Sequence, residues 1–267
     1  MVSDLPAPVR QVTDLFLCLA DEAAPGLVEG LYLHGSLGFG EWYDGRSDVD
    51  YVAVLSARPD EATTAVLRAV HEGVSSTFSR PAFDGFHLTW SDLAAPPQAC
   101  PDVPCTQAGL FHEDARLDVQ PVTWHELAWH GVAVRGPGPE RVTVWTDQAA
   151  LRQYTHDNLE TYWSHEAAAL ARFPTEAGRP DIVAWCVLGV SRLHHLLATD
   201  ALTSKTGAGR YAIAAFGPQW RALVTEALAI RVTGQPSGAY DGAEDRRGTD
   251  TVAFVEMVVR EGLTIGV

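Results

Sequence analysis

The sequence predicts an α/β domain followed by an all-α domain. Hydrophobic patterns typical of helices and of strands alternate in the first half of the chain, whereas the second half shows helical patterns alone. The Gly- and Pro-rich stretch RGPGP (135–139) follows the last strand pattern, and such stretches commonly interrupt regular structure. A length of 267 residues suits two domains of ordinary size. We therefore expect one domain over residues 1–145 and a second over residues 146–267.

The first domain is expected to alternate between helices and strands. Apolar residues recur at three- and four-residue steps over 8–24 and 60–76, which predicts helices. Runs of β-branched and aromatic residues predict strands at 31–34, 49–55 and 82–90. Residues 121–139 predict a short helix and then a strand.

The second domain is predicted to be a bundle of about five helices, because helical spacing of apolar residues recurs throughout it. The helical segments are 146–173, 181–199, 204–216, 220–232 and 251–262. Thr203 or Ser204 is expected to cap the third of these helices. The turn-rich segment 233–250 is predicted to be a loop.

The composition narrows the class of partner. The net charge of −15 argues against a general nucleic-acid binder and suits a small cationic substrate, although taken alone it favours a role in solubility. No apolar run is expected to be long enough to span a membrane, and Asp, Arg and Pro interrupt the N-terminal segment. We expect a cytoplasmic protein, monomeric or weakly dimeric. Its cysteines are expected to be reduced structural thiols, with CPDVPC (100–105) in a Pro-rich loop.

The segment HGSLGFGEWYDGRSDVDYVAVL (34–55) carries the main functional signal. Asp48 and Asp50 are two residues apart in a predicted strand, so both carboxylates point to one face and repel each other. Gly35 and Ser36 follow another strand, at a turn whose backbone N–H groups can approach a phosphate. Mg²⁺ prefers one or two carboxylates together with substrate phosphates. We therefore predict a site for two Mg²⁺ ions about 4 Å apart, the alternative being a surface strand with solvated aspartates.

This segment resembles the Gly-Ser, spacer, Asp-x-Asp signature of the polymerase-β-like nucleotidyltransferase superfamily. The later segment VLGVSRLHHLLATDALTSKTGAGRYAI (187–213) is similar to the helical domain of the streptomycin/spectinomycin 3''-adenylyltransferases, aminoglycoside-modifying enzymes. The resemblance covers nearly the whole chain in the same order. It implies a nucleotidyltransferase domain with a polymerase-β-like mixed sheet, then a helical bundle, with ATP and an aminoglycoside held between them.

The resemblance also implies roles for individual residues. Asp48 and Asp50 would bind Mg²⁺, and Gly35, Ser36 and Ser47 would lie against the phosphates. Two further residues match the bundle residues of the family that reach the triphosphate: Arg192 and Lys205. Lys205 is the only lysine in the sequence, by chance or because a compact ammonium suits phosphate. The alternative for Arg192 is a salt bridge on a helix surface.

The family uses a glutamate on the next strand as the catalytic base, and ungapped alignment places Asp84 there. The shorter side chain and the following Gly85 depart from the family pattern. Asp84 is therefore either the base or a turn residue in the sequence FDG. His87 is a less favoured substitute base, expected to pack.

The substrate pocket is less well defined by the sequence. Phe111 and Trp163 lie where the family has substrate-contacting tryptophans, and Asp181 is one position out of register with an acidic residue that holds the drug. The alternative acidic residues are Asp157, Glu160 and Glu166. Other histidines are expected to pack or form hydrogen bonds, namely His125, His130, His194 and His195.

The sequence therefore predicts an ATP- and Mg²⁺-dependent O-adenylyltransferase that modifies an aminoglycoside or aminocyclitol. Two alternatives stay open. The first is AMP transfer to a protein, and the second is a catalytically weak homologue that binds nucleotide or drug.

Overall fold

The computed structural model describes residues 5–266. The chain divides into two compact units, Met1–Asp147 and Gln148–Val267.

The first unit is a six-stranded mixed sheet with helices on both faces. Its strands are β1 (Val28–Leu33), β2 (Val49–Leu55), β3 (Phe83–Thr89), β4 (Val103–Gln107), β5 (Leu110–Ala115) and β6 (Val132–Arg135). Its helices are α1 (Ala7–Ala23), α2 (Gly35–Gly38), α3 (Glu61–Thr77), α4 (Trp90–Leu93) and α5 (Pro121–His130). The strand order is β5-β4-β3-β2-β1-β6, in which β2 and β3 run parallel and the other neighbours antiparallel.

The predicted elements of this unit are confirmed, with small shifts at their ends, but β4 and β5 were missed. Cys105 lies in β4, so the prediction that CPDVPC is wholly a loop is wrong. The register of β4 against β5 shifts between Val103 and Cys105, which indicates a bulge at Pro104. Proline is tolerated at a bulge because its residue does not have to donate a hydrogen bond to the neighbouring strand. β5 is an edge strand whose side chains are mostly exposed, so it lacks the apolar alternation of a half-buried strand.

Alternation along β2 divides the core into two layers. Tyr51, Ala53 and Leu55 pack with α1 and α3 on one face, whereas Val52 and Val54 pack with α5 on the other. Because side chains alternate along a strand, Asp50 belongs to the face that α5 covers. The predicted carboxylate pair therefore lies at the end of the layer formed by β2 and α5.

A buried hydrogen-bond network lies on the α3 face of the sheet. The Tyr51 hydroxyl is 3.1 Å from His71 Nε2 and 3.0 Å from Thr106 Oγ1. His71 Nε2 is 3.2 Å from His87 Nε2, and His87 Nδ1 donates to the Pro104 carbonyl at 2.9 Å. The carbonyl fixes the proton of His87 on Nδ1, so Nε2 accepts from His71. Burial lowers the pKa of both rings, that of His87 to about 4.

These histidines are expected to make the fold acid-sensitive. Their folded pKa values lie below the unfolded value of about 6.5, so unfolding takes up protons at acid pH. The contribution is complete above about pH 6.5 and is lost as the pH falls towards 4. We expect His87→Gln, which keeps a donor and an acceptor but does not titrate, to flatten the pH dependence of the unfolding free energy in this window. Denaturant titrations at several pH values measure this, and the exposed His112→Gln is the control. An unchanged slope in His87→Gln would contradict the assignment.

The second unit is helical. Its helices are α6 (Gln148–Asn158), α7 (Ser164–Leu170), α8 (Pro174–Ala177), α9 (Pro180–Thr199), α10 (Lys205–Ala215), α11 (Arg221–Thr233) and α12 (Glu244–Gly262). A π-helical segment, Leu159–Trp163, connects α6 to α7 within the helix predicted at 146–173. α9 lies at the centre and packs against α10, α11 and α12. Ser204 is the cap of α10, since its hydroxyl accepts the Gly207 N–H at 2.8 Å.

Two expectations for this unit need correction. α12 begins at Glu244 rather than at 251. The prediction was wrong because Gly248 is of a residue type common in turns, although it lies inside the helix. There α12 meets α8 so closely that a Cβ on Gly248 would collide with the Pro174 carbonyl. Among the described helices, α9 has the length and apolar composition of a membrane span, contrary to the sequence expectation. Half of its most apolar window is buried, and a core helix meets the same criteria, so this is weak evidence for a span.

Candidate functional site

The two aspartates lie at the beginning of β2. Asp48 is exposed and Asp50 is partly exposed, whereas Val49 between them is fully buried. Because side chains alternate along β2, the Asp50 carboxylate lies on the face opposite Val49, and Asp48, which directly precedes the strand, is expected to share that face. Two carboxylates on one face are the donors that Mg²⁺ takes from proteins when substrate phosphates complete its coordination.

Gly35 brings the turn after β1 against Asp50. Its φ is +57°, and a Cβ at this position would collide with the Asp50 carboxylate. The preceding His34 N–H donates to the Asp50 carbonyl at 3.1 Å. Because β1 and β2 are antiparallel neighbours, the end of one strand lies beside the start of the other. Glycine is therefore required here by both conformation and space.

The other predicted phosphate contacts lie nearby in the chain. Ser36 is partly exposed in α2. Ser47 is buried, and its hydroxyl accepts the Tyr43 N–H at 3.0 Å, which closes the loop before β2. A phosphate contact for either serine stays a prediction.

Asp84 lies directly opposite Asp50 in the parallel pair of β2 and β3. Its two oxygens accept the N–H groups of Ala108 at 2.8 Å and Gly109 at 3.0 Å, in the turn between β4 and β5. Both turn residues have positive φ, as in two-residue hairpins. The prediction that Asp84 could be a turn residue in FDG is wrong, because Asp84 lies within β3 and instead accepts hydrogen bonds from the turn between β4 and β5. A role as catalytic base stays a prediction. His87 is fully buried in the network on the opposite face.

Sequence reasoning missed two residues beside Gly35. Glu126, buried on α5, accepts a hydrogen bond from His34 Nδ1 and another from the Gly35 N–H, each at 3.2 Å. Burial lowers the pKa of the His34 ring. The hydrogen bond to Glu126 and the charges of Asp50 and Asp118 more than offset this effect, so the pKa of His34 is raised overall.

Asp118 is the third missed residue, in the turn between β5 and α5. Its φ is +60°, which is uncommon for a residue other than glycine. Desolvation raises the pKa of its carboxyl; His34 opposes this, and the negative charges of Asp84 and Glu126 add to it. These residues therefore form one electrostatic cluster. No local pattern marks Glu126 or Asp118, because their relation to the Asp pair arises only in the folded chain.

In the second unit the structure brings together the two predicted triphosphate-binding residues. Arg192 lies on α9, and its Nε donates to the Thr203 carbonyl at 3.1 Å. Lys205, the first residue of α10, is two positions further along the chain. Arg192 and Lys205 therefore lie at the same junction, where α9 is followed by α10.

The predicted substrate residues are placed differently. Trp163 is buried in the core of the second unit, with its ring 4.9 Å from that of Trp185. Phe111 stacks on His71 at 5.6 Å, on the sheet face opposite Asp50. Asp181 is exposed and pairs with Arg179 at 2.7 Å. A substrate contact for these three residues stays a prediction.

The remaining histidines form hydrogen bonds or pack, as predicted. His125 Nδ1 lies 2.8 Å from the Pro121 carbonyl, and His194 Nδ1 lies 2.8 Å from the Tyr211 hydroxyl. His195 Nδ1 lies 2.9 Å from the Ala201 carbonyl, and the His130 ring packs on Phe39. Within residues 5–266, one group of three potential metal ligands has its atoms within 4.8 Å of one another, formed by His156, Asp157 and Glu160.

The mixed sheet with its glycine turn, followed by a helical unit, is a nucleotidyltransferase-like fold. Among solved structures, the chain is similar to the spectinomycin adenyltransferase AAD(9) from Enterococcus faecialis, determined with ATP and spectinomycin. The TM-score is 0.66 at 11% sequence identity, over 94% of this chain and 98% of the other. No family model and no curated protein matches the sequence. The predicted resemblance is therefore confirmed for the fold.

Proposed function

We propose that this protein is an O-adenylyltransferase that moves AMP from ATP to a hydroxyl of an aminoglycoside or aminocyclitol. The observation that carries the proposal is the contact between Gly35, in the turn after β1, and the Asp50 carboxylate. It supports a site in which this turn binds phosphate beside a metal held by Asp48 and Asp50. The similarity in fold to an adenyltransferase determined with ATP and spectinomycin supports the same chemistry. The acidic cluster and the net charge of −15 favour a cationic acceptor.

The reaction joins an acceptor oxygen to the α-phosphorus and breaks the bond from the α-phosphorus to the oxygen that leaves with pyrophosphate. Asp48 and Asp50 would hold Mg²⁺, which would supply charge neutralisation at the reacting phosphate. Backbone N–H groups of the turn at Ser36 orient the phosphates. Asp84 takes the proton of the acceptor hydroxyl. Arg192 and Lys205 supply positive charge for the triphosphate and for the departing pyrophosphate.

The test is pyrophosphate release with ATP and Mg²⁺ in the presence of single acceptors. Spectinomycin is the first acceptor to examine, followed by streptomycin and other aminoglycosides. Release that depends on one drug, with mass spectrometry showing AMP on that drug, is the expected result. The absence of acceptor-dependent pyrophosphate release with every drug tested would contradict the proposal. AMP appearing on a protein in that case would favour the protein-directed alternative.

The substitution Asp84→Asn distinguishes a catalytic base from a residue that only holds the turn between β4 and β5. If Asp84 is the base, kcat is expected to fall by about 10²- to 10⁴-fold, because the carboxamide does not accept the proton. Affinity for ATP is expected to survive, since the carboxamide keeps an acceptor for one N–H of the turn. Steady-state kinetics and calorimetry measure the two quantities. The control is Asp114→Asn, at an exposed position in the β4–β5 hairpin that Asp84 contacts. A lower melting temperature with unchanged kcat would assign Asp84 to the turn alone.

A further inference from the structure

Glu126 joins α5 to the turn that supports Asp50. Its Oε2 lies 3.2 Å from the Gly35 nitrogen and 3.2 Å from His34 Nδ1. Two donors therefore converge on one oxygen of a carboxylate that is 4% exposed. Hydrogen bonds to a charged acceptor are stronger than those between neutral groups, so this contact fixes the turn firmly.

Residues 34 and 35 connect the contact of Glu126 to Asp50. The Asp50 carboxylate occupies the space where a side chain of Gly35 would start. The His34 N–H meanwhile holds the Asp50 carbonyl at 3.1 Å. A displacement of residues 34–35 would therefore move both the backbone and the carboxylate of Asp50.

α5 also holds the other end of α2. A Cβ on Gly38 would lie 2.6 Å from the His130 carbonyl, so the two helices touch backbone to backbone. The rings of Phe39 and His130 are 4.4 Å apart at their centroids. Contacts with α5 therefore hold both ends of α2: the hydrogen bond to Glu126 holds the first residue, Gly35, and close backbone packing holds the last, Gly38.

The charge of Glu126 argues against a role in packing alone. A buried carboxylate is desolvated, and an apolar residue would fill the same space at less cost. Glu126 also adds a negative charge to a cluster that already contains Asp50, Asp84 and Asp118. The carboxylate differs from an apolar residue in one respect, because it provides an acceptor for the Gly35 N–H.

We propose that Glu126 is a positioning residue that fixes Gly35 and, through Gly35, the Asp50 carboxylate. The proposal rests on the function proposed above, because Asp50 is taken to hold the metal there. Residues behind a metal ligand typically change metal affinity or activity by 10- to 100-fold when they are removed. Glu126→Ala is therefore expected to weaken Mg²⁺-dependent nucleotide binding by about 10-fold or more, and to lower kcat by a comparable factor. Glu126→Gln is expected to be intermediate, because its neutral carbonyl oxygen still accepts the Gly35 N–H.

The experiment compares three variants of the full chain with the wild type. Calorimetry measures the binding of α,β-methylene-ATP at several Mg²⁺ concentrations, kinetics measures AMP transfer, and fluorimetry measures melting. The control is Glu226→Gln, which also neutralises a buried carboxylate that accepts hydrogen bonds from a basic side chain and a backbone N–H, but in the second unit. It is expected to lower the melting temperature and to leave the Mg²⁺ dependence of binding unchanged.

The outcomes separate the two proposals. Binding like that of the wild type in folded Glu126→Ala overturns the positioning role, and if Glu126→Ala does not fold, Glu126→Gln decides in the same way. A wild type that binds the analogue but modifies no acceptor overturns the proposed function, while the binding comparison still decides the role of Glu126. A wild type that binds no analogue overturns both.

Discussion

Replacing Asp50 by Asn is expected to lower the rate of AMP transfer by about 10²- to 10³-fold while the fold is retained. The carboxamide has the shape of the carboxylate, so it still fits the space that Gly35 leaves. What it loses is the negative charge that the proposed metal site requires. The carboxamide fills the same space as the carboxylate, so the melting temperature is expected to change little.

Pyrophosphate release and fluorimetry measure the two effects of this substitution. The control is Asp44→Asn, an exposed position in the loop between α2 and β2. It is expected to behave as the wild type in both assays. Asp50→Asn with undiminished transfer would refute the metal-binding role of the pair, and with it the mechanism proposed above.

The parts of the fold that the sequence predicted are those with strong local signals. β2 was predicted with its observed ends, because the run of β-branched and aromatic residues typical of a strand begins at Val49 and ends at Leu55. β4 and β5 were missed because Pro104 interrupts one and the other is an exposed edge. Such strands are specified by pairing with a neighbour rather than by their own hydrophobic pattern.

The candidate site was likewise predictable only where its residues carry a local signal in the sequence. Gly35, Asp48 and Asp50 were identified as candidate site residues because they lie within one short segment, where strand alternation and turn chemistry apply. Glu126 lies 91 residues from Gly35, and a glutamate in an apolar helix carries no local sign of its partner. Trp163, which the resemblance marked as a substrate contact, is buried in the core of the second unit, and sequence alone does not distinguish a core aromatic residue from one that lines a pocket.

Replacing Glu226 by Ala is expected to lower the free energy of unfolding by about 3–5 kcal/mol, the effect of breaking a buried ion pair. Glu226 on α11 is fully buried and accepts from Arg247 Nη1 at 2.9 Å and from the Ser237 N–H at 2.7 Å. Arg247 on α12 is itself buried and donates from Nε to the Gly178 carbonyl at 2.7 Å. The substitution would leave a buried guanidinium without its carboxylate. Urea denaturation of the wild type and the variant measures the difference.

The pH dependence and a double substitution test the cause of this loss. Burial raises the pKa of Glu226, but the hydrogen bonds from Ser237 and Arg247 lower it overall. A lowered folded pKa gives stability that is present above the unfolded value of about 4.3 and is lost below it. The variant is therefore expected to differ most from the wild type at neutral pH. Glu226→Leu combined with Arg247→Met should recover most of the loss, because apolar residues of similar volume can replace a buried ion pair. A double variant as unstable as Glu226→Ala would mean that the hydrogen bonds to Ser237 and Gly178, rather than the uncompensated charge, account for the effect.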